Sequence, residues 1–158
     1  MIDGPTVVAA LEAAGFTHLV WIPDSHLGTW DAALAGSQLP VIRPCREGEA
    51  IGIAAGLMLG GAKPLVAIQC TGFFEAGDAV RNVVHDLKLP LKLLIGVRSW
   101  RAMQTGNSGD NCPHYAEPMV KAWDLPCEWF DPFSSGECES ALGRLAEATE
   151  ASVLLWGE

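Results

Sequence analysis

The sequence predicts an α/β chain, a three-layer sandwich in which a mostly parallel six-stranded sheet is covered by helices on both faces. Three observations lead to this. Segments with helical spacing alternate with short apolar runs along the whole chain, the pattern of strands joined by crossover helices. Several of those runs, Leu65-Val66-Ala67-Ile68 and Leu93-Leu94-Ile95 among them, are apolar at every position rather than at every second one, as in strands buried on both faces. The 158 residues, 49% hydrophobic and 18% charged, are enough for one buried core and too apolar for a disordered chain. A single domain over residues 1–158 is expected, without internal repeat, linker or low-complexity segment.

Gly4-Pro5-Thr6 opens a helix that runs to about Ala14, with Val7, Val8, Leu11 and Ala14 at helical spacing and Gly15 closing it. His18–Ile22 is the first buried strand, and Pro23-Asp24-Ser25-His26 is the loop at its carboxyl end. A helix over Leu27–Ala35 leads to a second strand, Pro40–Arg43. The next helix starts at Glu47 and runs to about Leu59, where Gly60-Gly61 ends it. Pro64–Gln69 is the third strand, followed by a turn at Thr71-Gly72-Phe73-Phe74 and a helix over Asp78–Leu87. Leu91–Val97 is the fourth strand. Arg98–Pro113, rich in Gly, Asn, Ser and Asp, is the longest irregular stretch, and loops of that length in compact domains are usually functional or disordered. A helix over His114–Trp123, a strand over Cys127–Phe130, a helix over Ser135–Thr149 and a strand over Val153–Trp156 complete the order. Trp21 and Trp156 fall inside strands and are assigned to the core.

Ten basic against nineteen acidic groups give a net charge of −9, which argues against nucleic acid and anionic membrane as partners. A small anionic ligand held by local arginines remains compatible with it. Met1-Ile2-Asp3-Gly4 has neither the basic start nor the apolar run of a signal peptide. The longest mostly apolar run, Ala50–Ala62, falls short of the about 20 residues that span a bilayer. The cysteines, at 45, 70, 112, 127 and 138, are odd in number and form no C-x-x-C pair. Neither a disulfide framework nor a zinc site is expected, and no metal ligands are assigned. Reduced thiols in a cytoplasmic protein are the plain expectation.

The segment from Arg46 to Gly56 carries the chemistry. It sets Glu47 at a strand-to-helix turn, and in open α/β sheets ligands bind at that edge. A carboxylate there, backed by apolar helix, is placed to exchange protons with a bound ring rather than with water. Glu47 and Glu49 also suit a first helical turn through the helix dipole alone. Gly48, Gly52 and Gly56 recur every four residues, although a helix-interior glycine costs about 0.5–1 kcal/mol relative to alanine. Close packing onto the domain's own sheet and contact with another subunit are both compatible with them.

Glu47 stands seven residues ahead of Ala54-Ala55-Gly56, and the strand ending at Gln69 leads to Thr71-Gly72. This pattern resembles the pyrimidine-binding domain of thiamine diphosphate-dependent 2-oxoacid decarboxylases. Within that family it is most similar to sulfopyruvate decarboxylase alpha subunits and to phosphonopyruvate decarboxylase. The resemblance implies the thiamine diphosphate-binding fold, with Glu47 hydrogen-bonded to N1′ of the aminopyrimidine. The cofactor then relays a proton through its imino tautomer. It implies that Thr71, Gly72 and Phe73 line the aminopyrimidine. Asp24 matches a catalytic acid of the first strand's loop, although Pro23 and His26 depart from the family's flanking residues; capping of the following helix is the alternative.

His26 and His114 are assigned to proton handling on the same resemblance, against the reading of His114 as an ordinary loop histidine. Ser25, Arg98 and Arg101 are assigned to the substrate's anion, against solvated charges at a strand end. The family's Gly-Asp-Gly motif for diphosphate and Mg²⁺ is missing: Gly77-Asp78-Ala79 and Gly109-Asp110-Asn111 both depart from it. The chain therefore resembles half an active site. A diphosphate-binding (beta) subunit that holds most of the Mg²⁺ shell, in a hetero-oligomer, is the implied partner. The implied reaction is decarboxylation of a small anionic 2-oxoacid such as sulfopyruvate or phosphonopyruvate. A carbon–carbon ligase or lyase subunit, or a non-catalytic regulatory or scaffolding module that kept the fold, are the alternatives, since fold alone does not fix function.

Overall fold

The computed structural model describes residues 1–133 and 137–158. Helix α1 (Gly4–Ala13) leads to β1 (His18–Trp21), a 3₁₀ turn (Leu27–Trp30), α2 (Asp31–Ala35) and β2 (Val41–Ile42). Then come α3 (Glu47–Leu59), β3 (Pro64–Gln69), α4 (Cys70–Glu75) and α5 (Gly77–Arg81), which continues as a π turn over Asn82–Asp86. The chain proceeds through β4 (Lys92–Val97), α6 (Trp100–Gln104), α7 (Cys112–Ala122), β5 (Cys127–Phe130), α8 (Cys138–Glu147) and β6 (Ser152–Gly157). The six strands form one sheet in the order β2-β1-β3-β4-β6-β5, and every pairing is parallel. From β1 the chain winds outward to β2. It then returns to β3 on the other side of β1 and winds the opposite way. That reversal makes the carboxyl ends of β1 and β3 the switch point, where open α/β sheets bind ligands.

The sandwich follows from strands that are apolar on both sides. One face buries Ala50, Ile51, Phe73, Val80, Ala116 and Val120 from α3, α4, α5 and α7. The other buries Val7, Leu11, Trp30, Leu34 and Leu142 from α1, the 3₁₀ turn, α2 and α8. Trp21, Trp30 and Trp156 are fully buried, as assigned for the two strand tryptophans. Lys92 of β4 is a buried charge in this apolar sheet. Its Nζ donates to the carbonyls of Ala148 (2.7 Å) and Glu150, and burial holds its pKa below the ordinary lysine value. Lys92→Met leaves both carbonyls without that donor. It is expected to lower stability by about 1–3 kcal/mol, read as a lower urea midpoint at unchanged m.

Several local expectations are corrected. The turn over 71–74 is helix α4, because Cys70 and Phe73 fall on one side of a helical turn and both are buried. The 98–113 stretch contains α6, and α7 starts at Cys112, with Pro113 in the first turn where its missing N–H costs nothing. The 27–35 helix begins as a 3₁₀ turn. The helix after residue 76 widens into a π turn at Asn82, whose side chain takes the Asp78 carbonyl at 2.9 Å. The helix expected from Ser135 is seen from Cys138, and its proposed start lies outside the described residues.

Cys70 and Cys112 are disulfide-bonded across 42 residues, contrary to the expectation of thiols only. Their spacing in sequence gives no sign of it; the sheet brings the first residues of α4 and α7 together. Cys45, Cys127 and Cys138 are free, and burial pushes the Cys138 thiol up to about 11. Of the helix α3 glycines, a Cβ on Gly52 or Gly56 would meet nothing within 4 Å. These two are exposed, so packing on the domain's own sheet does not explain them.

Candidate functional site

Glu47 is the first residue of α3, after an extended Arg46. Its neighbour Glu49 turns back and accepts the Cys45 backbone N–H at 3.0 Å, so Glu49 caps the helix. Glu47 is thereby left uncommitted: it is half-buried, and no donor among the described residues reaches its carboxylate. It lies directly over Gly72 of α4. A Cβ built on Gly72 would stand 2.2 Å from Glu47 Oε1 and 2.3 Å from its Cδ, so only glycine leaves room for the carboxylate. Arg46 pairs with Glu75 at 3.0 Å, which ties the start of α3 to the end of α4 around this contact.

A hydrogen-bonded chain crosses the switch point beside it. Asp24 Oδ1 accepts the backbone N–H groups of His26 and Leu27, both at 2.8 Å, and so caps the 3₁₀ turn. Its Oδ2 accepts Gln69 Nε2 at 3.2 Å, and Thr71 Oγ1 donates to Gln69 Oε1 at 2.8 Å. Asp24 thus does what the capping alternative required while its second oxygen faces the ends of β3 and β4. Glu158, just past β6, is buried on the far side of Asp24. Gly96 makes the space, for a Cβ there would stand 2.5 Å from Glu158 Oε1 and 3.2 Å from Asp24 Oδ2.

A groove of about 460 Å³ opens between α4 and α7, walled by Thr71, Phe74, Arg98, Asp110, Tyr115 and Met119. Asp110 anchors its rim. It accepts Cys112 N–H at 3.0 Å, Arg98 Nε at 3.1 Å and Ser99 Oγ at 3.1 Å. The bond from Cys112, with those from Ser99 and Arg98, holds its carboxyl below the ordinary range.

Of the residues proposed from sequence, Glu47 and Gly72 are in contact, Asp24 and Thr71 are joined through Gln69, and Thr71 and Arg98 share the groove. Phe73 is fully buried in the core, while Phe74 faces the groove. His26 contributes its backbone N–H to Asp24. Ser25 and His114 are exposed, and neither walls the groove. Arg101 turns away, its Nη1 donating to both carboxylate oxygens of Asp131 at 2.8 and 3.1 Å, over the ring of Phe133. Gln69 and Glu158 were not singled out from sequence. Gly96 is the signal that could have found them, since a glycine inside a strand often marks a close approach.

No protein-family model matches the chain. Over 70 residues, 44% of the chain, it is 36% identical to a sulfopyruvate decarboxylase of Methanosarcina acetivorans, of which it spans 17%. In structure it superposes over 99% of its length on benzoylformate decarboxylase from Polynucleobacter necessarius, at TM-score 0.75 and 19% identity. It also superposes over 98% of its length on a thiamine diphosphate-dependent 4-hydroxybenzoylformate decarboxylase of Rhodococcus jostii, at TM-score 0.67 and 16% identity. It spans 30% and 29% of those two chains. The resemblance carried by Glu47, Ala54-Ala55-Gly56 and Thr71-Gly72 thus extends to the whole sheet, and the chain has the α/β fold of the pyrimidine-binding domain of thiamine diphosphate-dependent enzymes.

Proposed function

We propose that this chain is the pyrimidine-binding (alpha) subunit of a two-component thiamine diphosphate-dependent decarboxylase, acting on a small 2-oxoacid such as sulfopyruvate or phosphonopyruvate. One observation carries the reading: among the described residues the carboxylate of Glu47 accepts no hydrogen bond, and it lies over a side-chain-free Gly72 at the switch point. An unpaired carboxylate above an open glycine suits a flat aminopyrimidine with a ring nitrogen to protonate. The bound cofactor supplies the electron sink for loss of CO₂. Glu47 holds the proton at the ring nitrogen, Thr71 and Gly72 line the ring, and Asp24 keeps a fixed carboxylate beside it. His26 and His114 stay assigned to proton handling, and Ser25 and Arg101 to the substrate anion. Arg98 in the groove wall is the cation best placed to hold a sulfonate or phosphonate in exchange for Asp110.

The similarity to a sulfopyruvate decarboxylase supports the substrate class. The diphosphate and Mg²⁺ are assigned to a partner chain, because neither Gly77-Asp78-Ala79 nor Gly109-Asp110-Asn111 completes the Gly-Asp-Gly motif. The exposed Gly52 and Gly56 on α3 support close contact with that partner. Gly72→Ala forces Glu47 aside while disturbing only a flexible side chain. It is expected to fold normally and to weaken cofactor binding in the complex by about tenfold or more, about 1.4 kcal/mol, measured by calorimetry. The proposal itself is tested by assaying CO₂ release from sulfopyruvate, phosphonopyruvate and pyruvate with a co-expressed chain bearing Gly-Asp-Gly. Turnover that requires both chains and favours a dianionic substrate supports it. A stable complex that releases no CO₂ from any of them overturns it in favour of a non-catalytic module.

A further inference from the structure

Glu158 takes no part in the chemistry above, yet it is the most unusual acid in the molecule. It is 4% exposed, and among the described residues no N–H or O–H donor meets either carboxyl oxygen. Asp24 faces it from the loop after β1, Gln69 stands at the end of β3, and Gly96 lies beneath it in β4. Trp100 of α6 packs on Gly157, and the charge of Arg98 reaches it from the end of β4. Arg98 is the cation that acts on Glu158 among the described residues, and its Nε is committed to Asp110.

Two carboxylates side by side, one of them buried, do not both ionise without cost. The donors decide which of the two keeps the proton. Three N–H groups converge on Asp24, from His26, Leu27 and Gln69. None reaches Glu158. A hydrogen bond between the two side chains therefore exists only when one carries a proton, and Glu158 is the one with no other means of satisfying its oxygens.

We propose that the half-buried Asp24 and the buried Glu158 form an acid pair sharing one proton, with Glu158 as the protonated member and a positioning residue for Asp24. Burial, then the charge of Asp24 and the hydrogen bond to it, push the Glu158 carboxyl up to about 8, against a weaker opposing pull from Arg98. The pair would hold Asp24 in place across the neutral range and release it in alkali. Its use in catalysis rests on the function proposed above; its existence does not.

The sign of the pH effect follows. An unfolded glutamate titrates near 4.3, so the folded chain keeps a proton that the unfolded chain has lost. The contribution of Glu158 to stability is therefore highest at or below about pH 4, falls as pH rises, and levels off above about pH 8.

The test is a ¹³C NMR titration of the full chain with labelled glutamate side-chain carboxyls, Glu158 being assigned by its loss in Glu158→Gln. The expected result is a Glu158 midpoint at least two pH units above the other glutamates, lowered by a unit or more in Asp24→Asn. A midpoint among the other glutamates, or one unmoved by Asp24→Asn, overturns the proposal. If Asp24→Asn does not fold, wild-type urea midpoints from pH 5 to 9 decide. A slope that Glu158→Gln flattens supports the pair, and an identical slope in both proteins overturns it. In the two-chain complex, Glu158→Gln, which keeps a donor toward Asp24, is expected to shift the alkaline limb of the kcat profile. Glu158→Ala is expected to lower kcat at every pH. A high Glu158 midpoint in a complex without turnover would leave the pair standing and remove the catalytic reading.

Discussion

Glu47→Gln, assayed in the complex with a diphosphate-binding partner, is expected to lower turnover by about 10²–10⁴-fold, the usual range for removing a positioned acid–base group. Folding should be nearly unaffected. The carboxylate accepts no hydrogen bond from the described residues, so its neutral isostere leaves none of them unsatisfied. The only loss is the helix-dipole interaction in the first turn of α3, about 0.3–1 kcal/mol. Glu49→Gln is the control. Glu49 caps Cys45 N–H, so that variant should lose a little stability and keep its turnover. Steady-state rates and thermal melts on the two variants separate the acids. Loss of turnover in Glu49→Gln with Glu47→Gln unaffected would mean that the wrong carboxylate has been assigned.

Trp156→Ala should have the largest effect on stability, a loss of about 3–5 kcal/mol. For a chain of this size that is roughly 6–20 °C in Tm. The indole is fully buried, with its ring 5.3 Å from Trp30 in an edge-on contact and 4.8 Å from Phe130. Its removal empties the junction of β6 with the 3₁₀ turn and β5. Its Nε1 has no hydrogen-bond partner among the described residues, so Trp156→Phe sacrifices packing alone and should cost much less than the alanine. Differential scanning calorimetry on both variants checks the order.

Much of this architecture was legible in the residues, for physical reasons. Pro64–Gln69 and Cys127–Phe130 match their strands end to end, and Glu47–Leu59 matches its helix. Each is a short run bounded by proline, glycine or a change of periodicity. Glu47 itself was legible because its offset from Ala54-Ala55-Gly56 is fixed within a single helix. What depends on contacts between distant segments was not. Cys70 and Cys112 meet only because β3 and β4 are neighbours and α4 and α7, which follow them in the chain, pack together. The turn at 71–74 became α4 because burial of Phe73 outweighed the glycine beside it. Glu158 carries no motif, and its role arises from three strand ends meeting above Gly96.

The most direct measurement is calorimetric titration of thiamine diphosphate with Mg²⁺ into this chain alone, into a co-expressed Gly-Asp-Gly partner alone, and into their complex, with wild type and Glu47→Gln. Binding that appears only in the complex, and is weakened by Glu47→Gln, is the result expected of half an active site whose pyrimidine end is built around Glu47. A complex that forms and binds no cofactor would contradict it, as would binding that ignores Glu47.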